Sequence, residues 1–199
     1  AEASNGNVYF CEYDGPTANN RVGLWEISSN ATVITEIHHW TIAAVDHCHT
    51  VRFIDGYLYL GFGDLDAKCG IIRWDLVGDW SLIGDTSPKD INALGVSGFL
   101  GAGGTQKTRI TDLVEYNGFL YTSADTRIDA PVLERGIFKL NKDLTNWTRV
   151  SGDIVNTTES TGYFGLNAGS MVLFVSFVEV SGVGIDNELY IWGSVDGET

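Results

Sequence analysis

Short apolar segments separated by turn residues run along this chain, and one five-residue pattern recurs among them. It consists of Asn or Asp, Gly, any residue, Leu or Val, and Tyr, and it begins at Asn5, Asp55 and Asn117, with a degraded copy at Ala168. Asn-Gly and Asp-Gly favour the positive φ angles of a two-residue hairpin turn. The pattern therefore predicts four hairpins, and successive copies are 50, 62 and 51 residues apart.

Other segments recur in step with these hairpins. A further strand-like segment follows each hairpin, at residues 23–27, 70–74, 136–140 and 188–192. Segments 75–85 and 143–153 match each other, and each places a Trp after an outer turn. An apolar segment also precedes the turn in every copy except the first. Each repeat therefore predicts a meander of up to four short antiparallel strands.

A repeat of about 50 residues that forms a four-stranded meander resembles the blade of a β-propeller. The Trp-bearing outer turn is similar to those of lectin-like and sialidase-like blades, although 75–80 keeps only part of the sialidase Asp-box, so no specific family is assigned. The resemblance implies one all-β, propeller-like domain over residues 1–199. Its units are at about 5–45, 46–87, 109–153 and 161–199, with a Gly-rich inter-blade insertion at 88–108. The alternative is an ordinary sandwich built of meanders.

The first and last units are short of a full blade. Few residues precede the first turn, and little of the chain remains after residue 195. Exposed sheet edges invite pairing. Three arrangements fit: a fragment of a longer propeller, a compact four-blade ring with one thin blade, or pairing with a neighbouring chain to give an oligomer or filament. The apolar run 171–175 is the segment with the strongest tendency to pair with another chain, unless it is a buried core strand.

Composition narrows the classes of partner. The chain has 199 residues with 12 Lys and Arg against 26 Asp and Glu, a net charge of -14. This argues against nucleic acid, because phosphate contacts need a surplus of Lys and Arg. No apolar stretch is long enough for a transmembrane helix, so membrane insertion is not expected. The start at Ala1 looks like an end left by signal cleavage, and we expect a secreted protein.

The glycosylation motifs and cysteines fit that location. N-glycosylation motifs occur at Asn30, Asn146 and Asn156. Two of them fall at equivalent turns between the third and fourth strands of their units, which favours an extracellular glycoprotein. The cysteines are Cys11, Cys48 and Cys69. They allow one disulfide, Cys48–Cys69 or Cys11–Cys48, and leave one thiol over.

Metal binding is suggested by the histidines, which all fall within residues 38–49. His47 and His49 are two apart on a predicted strand, so both point to one side, and Asp46 flanks them. Two imidazoles with an acid as third ligand suit Zn or Cu. The alternative is that these two histidines are hydrogen-bonded near the channel mouth, while the earlier two lie in a loop. Asp64 and Asp66 could instead help to bind Ca, although the rest of an EF-hand loop is missing.

Ligand contacts are expected on the face with the longer loops. The candidates on that face are Trp40, Asp14, Asp64, Asp66, Asp125 and Arg127. Trp40 lies outside the repeat and in a predicted loop, whereas the other five Trp residues recur at packing positions. The Gly-rich stretch 95–104 has neither the Gly-Lys-Ser/Thr of a phosphate loop nor a nucleophile elbow. It predicts a flexible inter-blade loop.

Together these features predict a secreted, non-enzymatic binding or assembly module. It would self-associate through its incomplete blades, and its partners would be further copies of itself, a glycan or another protein. One alternative is a carbohydrate-binding lectin. Another is a glycoside hydrolase that uses loop carboxylates, which requires two of them about 5 to 10 Å apart across a cleft. No catalytic motif supports an enzyme.

Overall fold

A computed structural model describes residues 1–13, 20–126, 130–151, 159–180 and 184–197. Over these residues strand is the dominant element, and the two α-helices are four and seven residues long. The predicted all-β class is therefore confirmed. None of the described helices is long and apolar enough to cross a membrane.

The strands form four antiparallel sheets, each with three or four strands that follow one another in chain order. The first sheet contains β1 (Val8–Cys11), β2 (Arg21–Ile27) and β3 (Ile34–Thr41). The second contains β4 (Cys48–Ile54), β5 (Tyr57–Phe62), β6 (Gly70–Trp74) and β7 (Phe99–Gly103). The third contains β8 (Ile110–Tyr116), β9 (Phe119–Ala124), β10 (Ile137–Leu140) and β11 (Thr148–Arg149). The fourth contains β12 (Glu159–Asn167), β13 (Val172–Val180) and β14 (Gly184–Ser194).

Short helical segments connect some of these strands. Helix α1 (Ile42–Val45) joins β3 to β4, and α2 (Pro88–Leu94) precedes β7. Single 3₁₀ turns occur at Trp80–Leu82, Gln106–Thr108 and Val132–Glu134. The sheets are thus meanders whose longer connections contain at most a few helical turns.

The backbone confirms two of the four hairpin turns that the sequence pattern predicts, whereas at Asn5-Gly6 and Ala168-Gly169 only the glycine has a positive φ. Asp55 and Gly56 have φ angles of 50° and 86° between β4 and β5. Asn117 and Gly118 have φ angles of 50° and 82° between β8 and β9. Two successive positive φ angles are the signature of a type I′ turn, whose twist matches that of the paired strands. These dipeptides therefore set the register of both hairpins.

The chain divides into two compact units, Ala1–Gly104 and Thr105–Thr199, and each unit holds two consecutive sheets. In the first unit, Tyr9 of β1 meets Trp74 of β6 edge to face, with ring centroids 6.0 Å apart. In the second unit, the Gly165 N–H donates to Asp112 Oδ2 at 2.8 Å, which ties β12 to β8. Each unit therefore has its own core between two sheets.

The Gly-rich stretch is a strand rather than the flexible loop that its composition predicts. Residues Phe99–Gly103 form β7, which pairs along the whole of β6. The expected outer segment is instead the 3₁₀ turn Trp80–Leu82. Gly101 packs beneath α2, where an added Cβ would collide with the Pro88 carbonyl oxygen and lie 3.0 Å from the Ile91 Cβ. Gly101 thus allows a helix to approach a strand closely. The prediction of a flexible loop at these residues was therefore wrong.

Residues 34–41 also differ from the prediction. They form β3 instead of leading into an inter-blade loop, so His38 and His39 lie on a strand. Trp40 has no exposed surface. Its ring packs 4.8 Å from Phe62 and 5.4 Å from Trp80. The prediction that Trp40 contacts a ligand from an exposed loop was therefore wrong, because its side chain fills the core of the first unit.

Cys11, Cys48 and Cys69 form no disulfide, so neither of the two predicted disulfides is present. Cys48 and Cys69 are buried. Burial, followed by the neighbouring Cys48 side chain, raises the pKa of the Cys11 thiol well above its ordinary value. Cys11 is therefore a protonated thiol that lies beside Cys48.

We expect Gly101→Ala to destabilise the protein, because the new methyl group overpacks the contact between β7 and α2. The free energy of unfolding should fall by about 1 to 3 kcal/mol in a urea titration. Ala102→Ser, which adds one atom at the next, half-exposed position, should change it by less than about 0.5 kcal/mol. Equal stability of Gly101→Ala and the wild type would contradict the packing of β7 under α2.

Candidate functional site

A cleft of about 510 Å³ lies in the first unit, between the edge strand β3 and the segment that follows β6. Strand β3 contributes Glu36, Ile37, His38, His39 and Thr41, and the later segment contributes Trp80, Ser81, Gly84 and Asp85. The pairing of β2 with β3 shifts register beside Ile37. A bulge of this kind redirects side chains, and bulges are common beside binding sites.

Two carboxylates line the cleft, and neighbouring groups hold both of them. Glu36 pairs with the Arg21 guanidinium through both of its oxygens, at 2.9 and 3.0 Å. Its Oε1 also lies 2.7 Å from His39 Nδ1. Asp85 accepts from the Thr41 N–H with one oxygen and from the Thr41 hydroxyl with the other, each at 2.7 Å. These contacts fix both carboxylates in place without filling all of their lone pairs.

The floor of the cleft is aromatic. The His38 ring stacks on Trp80 with centroids 5.0 Å apart and planes 21° apart. Trp80 also packs edge-on against Trp74 and Phe99, which anchors it in the core. His38 Nε2 and Trp80 Nε1 are buried and have no hydrogen-bond partner among the described residues. The floor therefore combines apolar ring faces with polar atoms whose hydrogen-bonding capacity is unused.

Burial lowers the pKa of His38 below its ordinary value, and the nearby His39 acts in the same direction. The Gly84 carbonyl, Asp85 and Glu36 oppose this shift without cancelling it. The neutral imidazole is therefore the stable form of His38 in the folded protein. A neutral ring has one nitrogen that donates and one that accepts a hydrogen bond.

This arrangement suits binding better than bond cleavage. In a glycoside hydrolase, one carboxyl group holds a proton for the leaving oxygen while the other acts as base or nucleophile. Here each oxygen of Glu36 and Asp85 already accepts a bond from a neighbour. Fixed acceptors beside an aromatic floor can instead hold hydroxyl groups.

A second cluster lies at the start of β4. His47 Nε2 is 2.6 Å from His49 Nε2. Asp64 Oδ1 is 3.4 Å from the nitrogen of His47 and 3.6 Å from that of His49. The ring of Tyr13 packs 4.4 Å from the His47 ring. Two imidazoles and one carboxylate, all of them metal-ligand types, therefore converge on one point at this end of the second sheet.

The local backbone accounts for this convergence. The pairing of β4 with β5 shifts register between Cys48 and Thr50, so His49 occupies a bulge. Beyond β5, Gly63 adopts a φ of 94°, and its N–H donates to the His47 carbonyl at 3.0 Å. An added Cβ at Gly63 would collide with the backbone of Lys68. This glycine thus lets the chain turn sharply and holds Asp64 beside the histidines.

The third member of the cluster differs from the one that the sequence suggests. Asp46, the predicted partner of His47 and His49, instead forms an ion pair with Lys68. The structure brings Asp64 to that position, which the sequence placed among ligand-face acids. The sequence suggested Asp46 because it is adjacent to His47. Asp64 is 15 residues beyond His49 in the sequence, and the loop between β5 and β6 brings it to the histidines.

The remaining candidate residues are scattered. Asp125 forms an ion pair with Arg109 at 2.9 Å, and Asp66 is exposed in the loop after Asp64. Asn30 and Asn146 are exposed. Asp14, Arg127 and Asn156 lie outside the described residues.

Comparison with known proteins leaves the function to be inferred from the site itself. No protein-family model matches the chain, and no curated protein matches it. Sequence reasoning also missed the cleft, because Glu36 and Asp85 belong to no repeated pattern. Trp80 was noticeable in the sequence because a Trp recurs after an outer turn. That recurrence was interpreted as a packing role and did not indicate a cleft.

We expect stability to depend on the protonation of His38. Because burial lowers its pKa in the folded state, the unfolded chain takes up a proton first as the pH falls below the ordinary value of about 6.5. The stabilising contribution is therefore present above about pH 6.5 and is lost as the pH falls toward the folded-state pKa. His38→Phe, which keeps a stacking ring, should flatten this part of the profile in urea titrations between about pH 8 and pH 5. An unchanged slope would show that His38 does not contribute.

Proposed function

We propose that this protein is a secreted, non-enzymatic binding module of propeller-like architecture that takes a saccharide in the cleft of its first unit. The carrying observation is the cleft itself, where the fixed carboxylates of Glu36 and Asp85 lie beside the stacked rings of His38 and Trp80. Sugar hydroxyls donate to carboxylates, and the apolar faces of sugar rings pack against aromatic side chains. Both needs are met within one cleft.

Other ligand classes match the cleft less well. Phosphorylated and other anionic ligands would face two carboxylates in a protein whose net charge is -14. A simple cation would find Glu36 already neutralised by Arg21. The volume of about 510 Å³ falls in the usual range for small-molecule sites. A neutral, polyhydroxylated ring therefore fits the charge, the chemistry and the size.

Architecture and surface features support the rest of the proposal. A propeller is built of consecutive four-stranded meander sheets, and this chain has two such sheets and two of three strands, all in chain order. Glycosylation in a secretory compartment needs accessible asparagines, and Asn30 and Asn146 are exposed. In the Asn30 motif, the Thr32 hydroxyl donates to the Asn30 side-chain oxygen at 2.6 Å. These features support an extracellular glycoprotein.

We expect Ser81→Arg to block binding to immobilised neutral oligosaccharides on a glycan array. Ser81 lines the cleft, so the long side chain would occupy it and pair with its carboxylates. Leu82→Arg is the matched control, because Leu82 is 64% exposed on the same 3₁₀ turn but does not line the cleft. Binding measured by calorimetry with a hit from the array should weaken at least ~10-fold in Ser81→Arg alone, which is about 1.4 kcal/mol.

Two outcomes would contradict the proposal that the cleft binds a saccharide. One is an array on which the wild type binds none of the neutral oligosaccharides. The other is equal loss of binding in Ser81→Arg and Leu82→Arg, which would mean that the added charge matters and the cleft does not.

Self-association is a second candidate function, and the fourth sheet favours it. Phe164 of β12 and Ile191 of β14 are 68% and 67% exposed. Both pair with Val175 of β13, so the three residues form one row across the sheet. Leu166, two residues along β12, is also exposed. Exposed apolar patches of this kind commonly mark protein interaction sites, and we propose the same face of a second copy as the occupant.

We expect light scattering to give the wild type a native mass of at least twice the chain mass of 21.7 kDa. Ile191→Lys should shift it toward a monomer, because the interface would have to bury an unpaired charge. Val77→Lys is the control, since Val77 is 85% exposed in the first unit and belongs to no such row. A wild-type monomer at high concentration would contradict self-association.

A further inference from the structure

We infer that His47, His49 and Asp64 form a binding site for a divalent transition-metal ion, and that zinc is the ion they suit best. This site is separate from the cleft, so it neither requires nor supports the proposed saccharide function. The inference rests on the distances between the three ligand atoms, on their chemical type and on the way the backbone holds them.

The distances are close to those that a tetrahedral zinc ion requires. Zinc binds imidazole nitrogen and carboxylate oxygen at about 2.0 to 2.2 Å, which places tetrahedral ligand atoms about 3.3 Å apart. The oxygen of Asp64 lies 3.4 Å from His47 Nε2 and 3.6 Å from His49 Nε2. The two nitrogens are 2.6 Å apart and would have to separate by about 0.7 Å. Modest side-chain rotation therefore completes the geometry.

The chemistry of the donors selects among metals. Calcium takes six to eight oxygen ligands, whereas this cluster offers two nitrogens and one carboxylate. Magnesium likewise prefers oxygen ligands in octahedral geometry. Imidazole suits zinc, copper and nickel, and zinc accepts a mixed set of nitrogen and carboxylate donors. Of the metals that the sequence suggests, the donor set thus favours zinc or copper over calcium.

Burial prepares the two histidines for this role. Their side chains are only 12% and 6% exposed, while that of Asp64 is 40% exposed. The cluster therefore opens toward solvent on the side of Asp64, which gives an ion a route in. Three protein donors also leave a fourth position of a tetrahedral ion for water or an external ligand, as in open zinc sites.

The backbone restricts alternative positions for the ligands. The bulge at His49 and the hydrogen bond from Gly63 to His47 fix the ends of β4 and β5 against each other. Lys68, a nearby cation, forms an ion pair with Asp46, which is not a member of the cluster. An ion would therefore find its three ligands already close together.

The competing account is a hydrogen-bonded pair of histidines beside an acid. In that account the cluster stabilises the end of the sheet without binding metal. The two accounts differ in their response to added zinc and in the separate roles of Asp64 and Asp66. Both acids lie in one loop, but only Asp64 belongs to the cluster.

The test is a calorimetric titration of chelator-treated full-length protein with Zn²⁺ near neutral pH. We expect one ion per chain with micromolar or tighter affinity, and binding of Ca²⁺ at least about 100-fold weaker. Asp64→Asn should weaken zinc binding about 100-fold or more, because loss of a direct ligand costs at least as much as loss of a supporting residue. Asp66→Asn, with the same change of charge two residues away, should leave zinc affinity within about twofold of the wild type.

A second readout protects the test against misfolding. Zinc at about 100 times its Kd should stabilise the wild type and Asp66→Asn, raising the unfolding temperature, with no such rise for Asp64→Asn. Circular dichroism establishes whether each variant is folded before zinc is added. Absence of saturable zinc binding by the folded wild type would overturn the proposal. So would equal zinc affinity in Asp64→Asn and the wild type, or equal loss in both variants.

Discussion

Trp80 is the residue on which the first unit most depends. It follows the third strand of the second sheet, yet its ring contacts Trp40 of the first sheet, Trp74 of β6 and Phe99 of β7. Burial of an aromatic side chain of this size contributes a few kcal/mol, and edge-to-face contacts add to that. The same ring lines the cleft, so the packing between the sheets and the shape of the cleft depend on one side chain.

The two candidate sites use the same structural device. Each lies where a bulge interrupts a regular strand pair, at Ile37 in β3 and at His49 in β4. A sheet holds the surrounding backbone rigid, and the bulge redirects a few side chains out of the alternating pattern. Strand register therefore positions the side chains of both candidate sites.

The repeats predicted the strands well because turn chemistry is local. The turn conformation at Asp55-Gly56 and at Asn117-Gly118 depends only on those two residues. The turn then brings the apolar segments on either side of it together as paired strands. Positions that depend on tertiary contacts were predicted poorly. Trp40 broke the repeat and so suggested exposure, although a non-repeated residue can equally fill a gap in the core. Gly101 suggested flexibility because composition does not show that a helix lies over it.

The residues of the candidate sites also differ in whether local sequence could predict them. His47 and His49 were recognisable from their spacing, but Asp64 depended on where the loop after β5 returns. Glu36 and Asp85 come from segments far apart in the chain and meet only in the folded unit. Spacing along a strand is a local property, whereas a site assembled from different elements needs the topology.

We propose that the two sheets of the first unit hold the zinc ligands close to their bound positions before the ion arrives. Anomalous diffraction at the zinc edge, from crystals grown with Zn²⁺, is the measurement that decides this. We expect one strong peak about 2.1 Å from the Nε2 atoms of His47 and His49 and from an Asp64 oxygen, with β4 and β5 unmoved. Zinc found elsewhere, or bound at His47 only after the strands rearrange, would contradict it.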